Sequence, residues 1–122
     1  MRIPILKLRN ILLTSIQTDL SDDDALQFQQ DLIERTRDSG AAGVIIDITA
    51  FDVVDSFMAR VLNDTANMAR LVGAESVVCG MQPAVALTLV EMGRELVGVE
   101  TALNLDQAMD RLEDLIGSRS KR

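Results

Sequence analysis

Apolar side chains in this chain recur with two different periods, and the alternation between them sets the expected order of elements. The stretches IPILKL and ILLTSIQ are short and rich in aliphatic and β-branched residues, and only the polar pair Arg9 and Asn10 parts them. This predicts two antiparallel strands joined by a tight turn. In SDDDALQFQQDLIERTRDSG the period lengthens, with Ala25, Phe28, Leu32 and Ile33 on one face. Ser21 and Asp24 have the spacing of a capping box and Gly40 supplies a stop, so a one-sided helix is expected. GVIIDI, from Gly43 to Ile48, is almost continuous valine and isoleucine, the pattern of a strand covered on both faces.

Beyond Asp55 the helical period returns in Phe57, Met58, Val61, Leu62, Met68, Leu71 and Val72, closed by Gly73. SVVCG reads as a further strand, and Pro83 opens a third helix that should end near Gly93. Val97 to Thr101 predicts a short edge strand. Asn104 with Gln107 caps a last helix whose buried stripe is Leu105, Ala108, Met109, Leu112, Leu115 and Ile116. The order ββαβαβα, then a weaker βα, predicts an α/β fold: a mixed, mostly parallel β-sheet with an N-terminal antiparallel hairpin, packed by about four helices. No repeat or linker interrupts the 122 residues, so residues 1–117 are expected to form one domain and 118–122 a disordered basic tail.

Composition narrows what such a domain can do. With 12 basic and 19 acidic side chains the net charge is −7, which repels nucleic acid and anionic membrane surfaces. Lys7 and Arg9 break the apolar N-terminus well short of a signal peptide or membrane span, so a cytoplasmic location is expected. The chain has no histidine, which removes Ser-His-Asp and Cys-His relays and imidazole metal sites. It also lacks Trp and Tyr, and Phe28, Phe51 and Phe57 are its three aromatic residues, too few for stacking of bases or sugars. Cys79, the single cysteine, reads as a core side chain at a strand end. Neither G-x-G-x-x-G nor G-x-x-x-x-G-K occurs, so neither an enzyme nor a cofactor or metal site is expected.

One short stretch, DVVDSFMARVL from Asp52 to Leu62, carries the chemistry that remains. Asp55 is the natural N-cap, which leaves Ser56 in the first turn of the helix. On helix chemistry alone, a serine there is a tolerated polar residue. A phosphoryl group on it would add roughly −1.5 to −2 of charge, favoured by the helix dipole and opposed by Asp52 and Asp55.

Three stretches, GVIIDIT with DVVDSFMARVL, CGMQPAVALTLVEMG, and ETALNLDQAM, resemble a STAS domain, and the likeness runs from about Ile3 to Ile116. Within that family the sequence is similar to the RsbS type, the small scaffold of the bacterial stressosome. Anti-sigma-factor antagonists of the same fold usually continue Asp-Ser with a small residue and Gly, whereas here Asp55-Ser56 runs into Phe57-Met58. The resemblance implies that Ser56 is the phosphoacceptor for a serine kinase of the RsbT type, with Asp55, Phe57 and Asp52 in the kinase-docking neighbourhood. Unmodified scaffold would hold the kinase and phosphorylated scaffold would release it. The resemblance further implies self-association and packing with sensor-bearing paralogues of the RsbR type. Thr88, in the matching helix of those paralogues, is a second candidate phosphosite, although a mid-helix hydroxyl can simply bond the preceding turn.

Two other readings compete with this one. A direct anti-sigma-factor antagonist shares the fold. A receiver-like domain would use Asp47 as phosphoacceptor, but it needs an acidic pair after the first strand and a lysine after the last. The lysines here are Lys7 and Lys121, and Asp22 to Asp24 fall at a helix start, so Asp47 is expected to pair locally.

Overall fold

The computed structural model describes residues 3–91 and 99–120, with side chains to residue 118. Strands β1 (Ile5–Leu8) and β2 (Ile11–Ser15) form the hairpin, and helix α1 (Asp22–Ser39) leads to β3 (Gly43–Asp47). Then follow α2 (Ser56–Leu71), β4 (Glu75–Cys79), α3 (Pro83–Glu91), β5 (Glu100–Ala102) and α4 (Leu105–Ser120). The five strands lie in the order β1-β2-β3-β4-β5, with β1 antiparallel to β2 and the rest parallel. The hairpin bends at Arg9, whose φ of 57° lies in the left-handed region.

Sequential strand order has a direct consequence for the layers. Crossovers of one hand that keep advancing in one direction place their helices on one face of a sheet. Accordingly α1, α2 and α3 share one core with Leu12, Val44, Ile46 and Val78. Alternate residues of the same strands, Ile11, Ile45, Val77 and Cys79, pack against Ala108 and Leu112 of α4. Both faces of β3 are therefore covered, and Val44, Ile45 and Ile46 are fully buried. The α4 contact is close: a Cβ on Gly43 would stand 2.6 Å from Leu112 Cδ2. Because α4 lies over β3, β4 and β5 and reaches only the edge of β2 at Ile11, the outer strand β1 stays uncovered on this face, with Leu6 and Leu8 exposed.

Several boundaries differ from the sequence expectation. The strand expected over Val97 to Thr101 pairs over Glu100–Ala102, while Val97, like the expected helix end at Gly93, lies outside the described residues. Leu71, assigned by period to the buried face of α2, is 87% exposed. The buried face is made by Met58, Val61 and Leu62 with the smaller Ala59, Thr65, Ala66 and Ala69, and Leu71, about two and a half turns after Leu62, stands on the opposite side of the helix. Leu105 of α4 is likewise exposed. Helix α4 continues to Ser120, through the first three residues of SRSKR, and residues 121–122 lie outside the described residues.

Candidate functional site

Parallel pairing brings the carboxyl ends of the strands to one edge of the sheet, with Ser15, Asp47, Cys79 and Ala102 in register across it. The helices begin from this edge, where irregular backbone and free helix N–H groups gather. Ser56 is the first residue of α2 and follows the connection from β3. That connection is pinned rather than loose. Phe51 and Val54 are almost fully buried, and Ile48 N–H donates to the Cys79 carbonyl at 3.0 Å. The Gln82 amide donates to the Thr49 carbonyl at 2.7 Å, tying the loop before α2 to the loop before α3.

Asp55 is the N-cap of α2, as its place in the sequence predicts. Its backbone is extended (φ −81°, ψ 175°) and its Oδ1 accepts the Met58 N–H at 2.8 Å. Ser56 is half-buried, Phe57 packs partly against the larger core, and Asp52 and Val53 are exposed. Beside the helix start lies an open depression of about 190 Å³ lined by Asp19, Leu20, Phe51, Val53, Asp55 and Met58. The structure thus gathers Asp52, Asp55, Ser56 and Phe57 at a single helix start on the strand-end edge. Two carboxylates, Asp19 and Asp55, line the depression beside it and Asp52 precedes it in the exposed loop, so a phosphate added there would meet like charge as well as the helix dipole.

The other singled-out residues sit elsewhere. Asp47 Oδ1 accepts from the Thr49 N–H at 2.9 Å and from the Thr49 hydroxyl at 2.5 Å, the local pairing expected of it. Its neighbour across the sheet, Cys79, is buried, and burial first and the Asp47 charge second push the thiol up to about 11. It is a thiol, not a thiolate, at neutral pH. Gly80, at φ 79°, follows it; a Cβ there would run into the Thr49 hydroxyl, so both the backbone and the space require glycine. Thr88 is exposed in mid-α3 and its hydroxyl donates to the Ala84 carbonyl at 2.9 Å. Among the described residues no group of three or more His, Cys, Asp or Glu side chains is placed to hold a metal ion, and no helix is long and apolar enough to cross a membrane.

Residues 2–108 match the model of the STAS domain family. The chain belongs to that family. Among solved structures it is similar to a serine-to-glutamate variant of RsbS from Moorella thermoacetica, at 40% identity with a TM-score of 0.80, covering 93% of this chain and 96% of that one. It is also similar, at 42% identity and a TM-score of 0.78, to a chain in a structure described as the molecular architecture of the stressosome, a signal integration and transduction hub. That match covers 92% of this chain and 97% of the other. A relative from Bacillus subtilis (strain 168), the RsbT co-antagonist protein RsbRA, is 28% identical over 100 residues. The match takes in 82% of this chain but spans 36% of RsbRA. The STAS fold and the likeness to the RsbS type expected from the sequence are both borne out.

Two features near the site were not singled out from the sequence. The clamp of Gln82 on Thr49 joins residues 33 positions apart and has no local signature. Arg60 does have one, since it follows Ser56 by four residues in an expected helix, the spacing of facing side chains.

Proposed function

We propose that this STAS domain is a non-catalytic, phosphorylatable scaffold of a stressosome-type assembly, and that Ser56 is its switch. Unmodified, it holds a serine kinase of the RsbT type; phosphorylated on Ser56, it releases the kinase to act downstream. The observation that carries the reading is the position of Ser56: first residue of α2, at the strand-end edge, next to a loop anchored by Phe51 and Val54, in a chain 40% identical to an RsbS. RsbRA, named for co-antagonism of RsbT, supports the kinase as partner. The stressosome likeness supports packing with copies of itself and with RsbR-type paralogues in the cytoplasm. Asp55 and Phe57 flank the hydroxyl and Asp52 and Val53 stand exposed before it, a surface suited to docking the kinase.

In the switching step the Ser56 Oγ attacks the γ-phosphorus of ATP bound to the kinase. The bond to the β,γ-bridging oxygen breaks, ADP leaves, and the hydroxyl proton passes to a base of the kinase. The product carries roughly −1.5 to −2 charge where the free hydroxyl carried none. Bringing that charge and the carboxylates of Asp52 and Asp55 together against a partner requires their desolvation, which weakens the complex. Incubation with an RsbT-type kinase and ATP, followed by intact mass and peptide mapping, should show one acid-stable phosphate on Ser56. Stoichiometric uptake by Ser56→Ala would overturn the assignment.

A further inference from the structure

Arg60 stands on α2 one turn beyond Ser56 and is exposed. Among the described residues it takes part in no ion pair. Asp64, four residues further along the same stripe, is also exposed, and the two are not joined. Side chains on a helix lean toward its N-terminus, so a side chain at position 60 leaves the helix over the turn that begins at residue 56 rather than over residue 64. An acid four residues before a base is the favourable orientation of such a pair; an acid four residues after it is the poorer one.

We propose that Arg60 is the internal counter-charge of phosphorylated Ser56, a positioning residue that swings onto the phosphoryl oxygens once they are present. The proposal rests on the reading of Ser56 as the phosphoacceptor. The carboxylates of Asp19 and Asp55 line the depression beside the helix start and Asp52 stands exposed four residues before Ser56, so an unpaired phosphate there would meet like charge. Arg60 supplies a planar, bidentate donor on the same helix face, and with the dipole of α2 it offsets that repulsion. The added charge is then held against the start of α2, inside the surface presented to the kinase.

The test installs phosphoserine at position 56 during translation, so that no kinase is needed, and follows the phosphate by ³¹P NMR as pH is varied. A neighbouring guanidinium favours the dianion, so Arg60→Gln should raise the second pKa of the phosphate by roughly 0.3 unit or more at low salt. Arg60→Lys should restore part of the difference, and about 1 M salt should shrink it. Equal second pKa values in the wild-type and Arg60→Gln chains would overturn the proposal. A measurement without substitution stands beside it: the Arg60 Nε–H resonance should move when a phosphatase removes the phosphate, and an unmoved resonance would equally overturn it. Failure of every kinase to modify Ser56 would instead strike the functional reading and leave these results unchanged.

Discussion

Helices α1 and α2 begin in nearly the same way and differ in the charge that follows. Ser21 Oγ accepts the Asp24 N–H at 3.1 Å, and Asp55 Oδ1 accepts the Met58 N–H at 2.8 Å. Each cap therefore satisfies one of the orphan donors of its helix. Three aspartates, Asp22, Asp23 and Asp24, then occupy the first turn of α1, whereas the first turn of α2 contains no acidic residue. The positive end of the α1 dipole is already compensated by its own sequence, and that of α2 is met by the cap alone. A negative charge added to α1 would find nothing left to neutralise. At Ser56 the same charge finds a dipole end and, one turn on, Arg60, which is in no ion pair among the described residues.

The largest expected effect separates the two serines. With an RsbT-type kinase and ATP, Ser21→Ala should take up one phosphate as the wild type does, and Ser56→Ala should take up none. Mass spectrometry showing modification of Ser21 would erase the distinction between the two helix starts. Affinity for the unmodified scaffold comes next. Calorimetry should show Ser56→Asp binding the kinase less tightly than Ser56→Ala, with only part of the effect of phosphate because an aspartate carries half or less of its charge. Equal binding by the two variants would mean that charge at this helix start is not what the kinase reads.

Stability provides two smaller tests. Loss of either cap, in Ser21→Ala or Asp55→Ala, should cost about 1 kcal/mol and lower the melting temperature by about 4 °C. Asp55→Asn keeps a capping oxygen and removes the charge, so it should lie between Asp55→Ala and the wild type if the dipole of α2 depends on its cap for compensation. An asparagine variant as stable as the wild type at low salt would remove that part of the contrast. The smallest effect is expected at α1. Asp22→Asn should destabilise by about 0.3 kcal/mol, and the loss should fade at about 1 M salt. A larger loss would show that the first-turn acids of α1 do more than compensate the dipole.

The element order, the caps and the position of Ser56 were legible in the sequence because each is governed by residues within one or two turns of one another. Ser21 with Asp24, Asp55 before Ser56, Pro83 and Asn104 with Gln107 announce helix starts through local hydrogen-bond chemistry, and the structure places each of them there. Continuous valine and isoleucine in β3 announced a strand buried on both faces. Only tertiary structure decided which apolar residues were covered. Leu105 lies on the α4 stripe by period and is exposed, because period cannot say where along a helix its neighbours end, whereas Leu71, about two and a half turns after Leu62, simply stands on the opposite side of α2 from the buried stripe. The same holds for the division of labour between the sheet faces, with three helices on one and α4 alone on the other. It follows from strand order and crossover hand, which no single segment encodes. The surroundings of Ser56 belong to this second kind. Asp19 and Phe51 meet Asp55 and Met58 at the α2 start, and Gln82 holds Thr49 in the loop before it, because parallel pairing carries separate strand ends to one edge, and only the assembled sheet brings them there.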